Sequence, residues 1–223
     1  QSDGDDRGGA VLNDVNILVH VAEDQQSAVA VSIPRDMVIP IPSCPNPEGG
    51  SYFAMSAQPI NVAMSYGGLN CVVLTVEALT GLDIPYAGVI SFDGVARMSS
   101  AVGGVDVCID GPINDPYTGL RIAEAGTYSL EGREALAFLR SRHGVGDGSD
   151  LGRISSQQVY LSSLIRKVQS EGVLTDVTKL YGLATVATTS MQLSSSLARV
   201  DTMVSMAQVL KDIPTQNITF VQY

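Results

Sequence analysis

VNILVHVAEDQQSAVAVSIPRD, residues 15–36, alternates, turns and alternates again. Val15, Ile17, Val19 and Val21 recur at every second position, the period of a strand in which residues i and i+2 share one face. AEDQQS is short and polar, and AVAVSI (28–33) has strand composition. Two such runs joined by a short polar turn form an antiparallel hairpin. In a hairpin the start of the first strand lies beside the end of the second. Asp14 is therefore expected next to Arg35 and Asp36, which follow Pro34.

Outward from the hairpin, residues 37–58 are loop-like, with four prolines and the pair Gly49-Gly50. Residues 60–81 have helical composition, interrupted at Gly67-Gly68, with Gly81 placed to stop the second piece. Further strands are predicted at 86–92 and 105–109, and a closing one at NITFVQY. Further helices are predicted at 93–102, 130–139, 153–170, 175–189 and 200–211. In 153–170, Ile154, Leu161, Leu164, Ile165 and Val168 recur at helical spacing, while Arg153 and Gln157, four apart, share another face. Helices and strands alternate along the chain, which favours an α/β sandwich with a covered sheet. No repeat or linker divides it, so 1–223 is expected to be a single domain.

The chain carries a net charge of -10, is 45% hydrophobic and has a mean hydropathy of +0.19. The acidic balance excludes a general polyanion-binding surface of the nucleic-acid type. No apolar run approaches the roughly 18–20 residues of a membrane span, and no signal peptide is recognised. Against this background Arg140, Arg142 and Arg153 fall within FLRSRHGVGDGSDLGRISSQQ (138–158). Guanidinium groups are permanently charged, planar forks of donors that match phosphate oxygens. Their concentration points to a phosphate or diphosphate; surface ion pairs with Asp147 and Asp150 are the alternative. Arg140 and Arg142, two apart, would point to one side of an extended segment. Arg153 would approach from a helix N-terminus, where Asp150 suits the dipole. Cys44, Cys71 and Cys108 include no CxxC pair. The loop IPIPSCPNPEGG around Cys44 suits a secreted, disulfide-stapled segment; three buried free thiols are the alternative. His20 and His143 lack partners for a nucleophilic triad and are read as structural, and no phosphate-binding or dinucleotide glycine motif occurs.

An ordered series of motifs resembles the extracytoplasmic domain of the LytR-CpsA-Psr family. It runs SIPRD (32–36), Ile60-Asn61 with Ala63, Gly67-Gly68, LTG (79–81), Phe92 with Gly94, GGVDV (103–107), LEGREALAFLRSRH (130–143), then Asp150, Gly152, Arg153, Gln157 and Gln158. The resemblance implies a three-layer α/β/α sandwich with a mixed central sheet and an apolar tunnel for a polyprenyl chain. It implies a magnesium-dependent phosphotransferase, manganese being a possible substitute. The enzyme would move a glycopolymer from a polyprenyl-diphosphate carrier to peptidoglycan through a phosphodiester bond. The protein would be anchored on the extracytoplasmic face of the bacterial membrane by an N-terminal segment outside these residues.

By the same resemblance Arg35, Arg140, Arg142 and Arg153 grip the diphosphate, and Asp14 and Asp3 hold the metal. Asp5 or Asp6 could stand in for Asp3. Gln157, Asp150 and Asn61 contact or position substrate, and Asp36 holds Arg35. Asp14 or Asp150 is the candidate base. Two positions depart from the family pattern: Leu12 stands where an arginine is common and Pro59 where a lysine is common. A lipid-diphosphate hydrolase (pyrophosphatase) and a non-catalytic polyprenyl-phosphate-binding protein are the rival functions. The fold is expected to bring the ends of the 44–71 stretch together. That predicts a Cys44–Cys71 disulfide and leaves Cys108 as a free, buried thiol.

Overall fold

The computed structural model describes residues 12–141, 150–170 and 176–223, without the side chains of 150–154, 170 and 177. Arg142, His143 and Asp147 lie outside the described residues, as do Asp3, Asp5 and Asp6; for Asp150 and Arg153 only the helical backbone is described. The fold is mixed α/β, and its contacts form two compact units. Unit 1 comprises residues 1–91, 191–203 and 217–223, and unit 2 residues 92–190 and 204–216.

Unit 1 is built on the predicted hairpin. Strands β1 (Asn16–Val21) and β2 (Ala28–Ile33) pair antiparallel from Asn16–Ile33 to Val21–Ala28. The C-terminal strand β13 (Ile218–Gln222) adds to the other edge of β2 in parallel, giving a three-stranded mixed sheet with β2 at its centre. Asn217 ties the start of β13 to the hairpin turn by donating from Nδ2 to the Gln26 carbonyl at 2.8 Å. The alternating row of β1 is not the core row: Val15, Ile17 and Val19 remain 41%, 37% and 56% exposed. Leu18, of the opposite row, packs with Ile33, Ile39, Ile60 and Val76.

The stretch expected to be loop contains two antiparallel pairs. Strand β3 (Val38–Ile41) pairs with β6 (Met55–Pro59), and β4 (Cys44–Pro45) with β5 (Ser51–Tyr52). Helix α1 (Val62–Thr80) follows, and its backbone leaves helical geometry at Gly67 (φ −124°, ψ 20°) and Gly68 (φ 64°, ψ −152°), as the sequence indicates. Gly68 occupies a conformation that a side chain would oppose. Gly67 is needed for a different reason. A Cβ there would lie 2.9 Å from Cys71 Cβ, 3.0 Å from the Pro45 carbonyl and 3.1 Å from Cys44 Cβ. The break brings α1 against β4 closely enough for the Cys44–Cys71 disulfide, with Cα atoms 5.2 Å apart. Gly81 ends the helix in the left-handed region, its N–H on the Glu77 carbonyl at 2.7 Å. By length and composition α1 could cross a membrane. Its broken backbone and its fully buried Ala63 and Cys71 make it a core helix of unit 1 instead. Strand β7 (Gly88–Ile90) pairs with β12 (Met191–Leu193), a strand that follows the predicted 175–189 helix.

Unit 2 packs helices on short antiparallel pairs. Strand β8 (Val105–Ile109) pairs with β11 (Gly126–Leu130), and β9 (Ile113–Asp115) with β10 (Leu120–Ile122). Helices α2 (Phe92–Ala101), α3 (Gly132–Arg140), α4 (Asp150–Ser170) and α5 (Val177–Ser190) belong here, with most of α6 (Val200–Asp212). The core is one cluster: Val105, Val107 and Ile109 from alternate positions of β8, then Leu120, Ile122, Leu130, Ala135, Phe138 and Tyr160. Burying each large apolar side chain contributes roughly 1.5–3 kcal/mol. The strand alternation that turns the valines of β8 inward turns Cys108 outward, so the free thiol is exposed and not buried as expected.

Native protein without reductant should therefore react with one equivalent of a thiol reagent before any denaturant is added. Reduction should cost about 3–4 kcal/mol in the chain-entropy description of a 27-residue separation, measurable by urea unfolding. Three reactive thiols in the unreduced protein would contradict the disulfide.

Tyr160 gives a second expectation. Burial pushes its phenol up to about 12, opposed by a hydrogen bond with Ser99. A folded pKa above the unfolded one contributes stability that is complete below about pH 10 and is lost as pH rises towards 12. Tyr160→Phe should flatten the alkaline end of the stability–pH curve across that window, measured by thermal melts.

Candidate active site

The hairpin register positions the first charged group. Asn16 and Ile33 are the last partners, so residues 14 and 35 lie two positions beyond them on adjacent strands. The result is the expected contact: Arg35 donates from NH1 to Asp14 Oδ1 at 2.6 Å, with the side chains 17% and 12% exposed. Asp36 is a lesser partner, 3.4 Å from Arg35 Nε and 65% exposed. A turn after β2 fixes the arginine backbone, since the Met37 N–H bonds the Pro34 carbonyl at 3.0 Å. The Arg35 carbonyl accepts from the Asn61 N–H at 3.2 Å. Asn61 is thus brought to Arg35 through its backbone, at the N-cap of α1, and its side chain makes no cap hydrogen bond. Leu12 is half-buried, and Pro59 lies opposite Val38 in the β3–β6 pair.

Two asparagines that belong to none of the quoted motifs flank Asp14. Asn13 and Asn16 are buried, and Asn13 donates from Nδ2 to Asn16 Oδ1. Among the described residues Asn13 Oδ1 and Asn16 Nδ2 have no hydrogen-bond partner. Buried amide atoms are nearly always satisfied, by protein, by an ordered water or by an ion. Magnesium is a hard ion that takes oxygen donors, commonly one or two carboxylates plus phosphate oxygens. Asp14 and the neighbouring Asn13 carry oxygen donors of the kind it takes. Among the described residues no three His, Cys, Asp or Glu side chains cluster, so the remaining donors would come from elsewhere.

In unit 2, α3 runs on through Arg140, and the extended backbone begins only at Ser141 (φ −62°, ψ 133°). Arg140 is therefore a helix C-terminal residue and not part of an extended Arg-Ser-Arg segment. It is exposed, and its guanidinium carbon lies 4.4 Å from the centroid of the Phe92 ring. This contact orients the group without neutralising it. No carboxylate pairs with Arg140 among the described residues. Gln157 is buried on α4, where Nε2 donates to the Leu139 carbonyl at 3.3 Å and so braces the end of α3. Phe92 lies in one of the quoted motifs, but nothing in its sequence context announces a partner 48 positions away.

The LytR_cpsA_psr family matches residues 2–223. The chain belongs to this family. It is 32% identical over 222 residues to the cell wall biosynthesis protein LcpA of Corynebacterium glutamicum, covering 93% of this chain and 42% of that protein. It is 30% identical over 163 residues to the polyisoprenyl-teichoic acid–peptidoglycan teichoic acid transferase TagT of Bacillus subtilis, covering 71% of this chain and 46% of that one. The chain thus spans less than half the length of these two family relatives. Among solved folds, Bacillus subtilis TagV superposes with a TM-score of 0.74 at 24% identity, covering 96% of this chain and 78% of that one. A structure of TagT bound to LI-WTA superposes at 0.68 with 21% identity, covering 95% and 72%. These likenesses support the mixed α/β fold of this LytR_cpsA_psr chain.

The Asp14–Arg35 pair lies between the exposed and fully buried extremes. Asp14→Ala or Arg35→Ala should each cost about 1–3 kcal/mol of stability, with the double variant costing clearly less than the sum. Strictly additive losses in a urea-unfolding cycle would show that the two side chains are not coupled.

Proposed function

We propose that this chain is the catalytic portion of a magnesium-dependent phosphotransferase that links a glycopolymer to peptidoglycan. The donor is the glycopolymer on a polyprenyl diphosphate. Relatives named as cell wall biosynthesis proteins and teichoic acid–peptidoglycan transferases support glycopolymer transfer. The observation that carries the proposal is the part-buried Asp14–Arg35 pair at 2.6 Å, an oxygen donor and a phosphate-binding fork held together at the SIPRD turn.

In the proposed reaction an acceptor hydroxyl oxygen bonds to the phosphorus that carries the sugar. The bond from that phosphorus to the bridging oxygen breaks, and polyprenyl phosphate leaves. The hydroxyl proton passes to a base, for which Asp14 and Asp150 are the candidates. Arg35, Arg140, Arg142 and Arg153 stabilise the charge that grows on the leaving phosphate. Asp14, Asn13 and Asp3 would hold magnesium, which when bound neutralises diphosphate charge. Arg140 is suited to its part because Phe92 steadies it while leaving its charge uncompensated. The exposed row Val15, Ile17 and Val19 offers apolar surface to an isoprenoid tail, for which the proposal includes an apolar tunnel. The disulfide supports placement outside the cytoplasm; attachment to the membrane's outer face is part of the proposal.

Purified protein given a polyprenyl-diphosphate-linked glycan and peptidoglycan should yield glycan covalently bound to the wall polymer, and EDTA should abolish the product. Arg140→Ala and Arg142→Ala should each lower the initial rate by about a hundredfold or more, and the double variant by far less than the product of the two. Undiminished turnover in EDTA would remove the metal. Free sugar phosphate without linked product would identify a hydrolase, and near-normal rates in both single variants would remove these arginines from the site.

A further inference from the structure

Asp115 is 1% exposed, and Ser141 beside it is fully buried. Burying a carboxylate is costly unless its oxygens are hydrogen-bonded. Oδ1 accepts the Tyr117 N–H at 2.9 Å and the Thr118 N–H at 3.3 Å, closing the turn between β9 and β10. An Asx turn of this kind needs only one side-chain oxygen, and asparagine supplies it as well as aspartate. Oδ2 has a different role: it accepts the Ser141 hydroxyl at 2.7 Å, across 26 positions of sequence.

Ser141 directly follows Arg140, at the point where α3 stops and the backbone becomes extended. On the other side of Arg140, the Leu139 carbonyl accepts from Gln157 of α4. Both chain neighbours of Arg140 are thus tied to buried polar groups, while Phe92 lies against its guanidinium. Well-packed apolar residues can fill buried sites without the desolvation penalty of an ion. What a carboxylate–hydroxyl bond adds is direction and a defined distance.

We infer that Asp115 is a positioning residue for Arg140, holding the end of α3 through Ser141 so that the guanidinium meets the diphosphate from a fixed origin. The inference rests on the proposed role of Arg140 in gripping a diphosphate. It differs from a purely structural role in predicting that the effect of Ser141 on ligand affinity runs through Arg140.

The test is the affinity of the folded protein for geranylgeranyl diphosphate with magnesium, measured calorimetrically well below every melting temperature. The proteins are wild type, Arg140→Ala, Ser141→Ala, their combination and Asp115→Asn. Asp115→Asn keeps a turn-closing acceptor, whereas Asp115→Ala would leave a buried void. Arg140→Ala should raise Kd by about tenfold or more, Ser141→Ala by about five- to tenfold, and Asp115→Asn by about two- to fivefold. On the Arg140→Ala background, Ser141→Ala should change Kd by less than about twofold, because the group it positions is already gone. An undiminished effect of Ser141→Ala on that background would overturn the inference in favour of a general structural role. Wild-type affinity in both Ser141→Ala and Asp115→Asn would overturn it while leaving the Arg140 assignment standing. An unchanged Kd in Arg140→Ala itself would overturn that assignment and the positioning role with it.

Discussion

The pairing of β1 with β2 is the constraint from which unit 1 follows. β2 is the central strand, with β1 antiparallel on one edge and β13 parallel on the other, and all three are joined by main-chain hydrogen bonds. A slip of one residue would turn each row of β1 to the opposite face. It would also move Asp14 away from Arg35, because their contact depends on both standing two positions beyond the Asn16–Ile33 partners. The ion pair is thus a consequence of sheet register, and it places a carboxylate and a guanidinium where the chain turns towards Asn61 and α1.

Arg35 in unit 1 and Arg140 in unit 2 are held by opposite physical means. Arg35 is held by charge: Asp14 neutralises it, and the pair is largely withdrawn from water. Arg140 is held by an aromatic face and by the bracing of its chain neighbours, so its positive charge stays available. The chain as a whole carries a net charge of -10, so an exposed guanidinium without an ionic partner among the described residues is a local site of positive charge. Of the two, Arg140 can attract an anion without first giving up an ionic partner.

Buried polar groups supply the definition that apolar packing lacks. The core of unit 2 is a cluster of valine, isoleucine, leucine and aromatic side chains, which attract one another without regard to direction. Asp115, Ser141 and Gln157 are the directional contacts around it, and all of them meet the end of α3 or the turn that supports it. Next to Asp14, by contrast, Asn13 and Asn16 leave buried amide atoms unused.

By itself the sequence determined whatever depends on neighbours along the chain. Alternation marked β1, β2 and β8, paired glycines marked the break in α1, and Gly81 marked its end, because these features express local backbone preference. The Asp14–Arg35 contact was legible because a hairpin converts sequence order into register. The motif series made the mixed α/β fold legible through family resemblance. Tertiary structure decided the rest. The prolines of 37–58 concealed β3 to β6, which are short strands stabilised by each other and by the disulfide. Periodicity separated the two rows of β1 but did not choose the core row; packing against Ile33 and Ile60 chose Leu18. The outward turn of Cys108, the seat of Arg140 on Phe92 and the bond from Asp115 to Ser141 join residues far apart in sequence. Their energies depend on distances that exist only once the chain has folded.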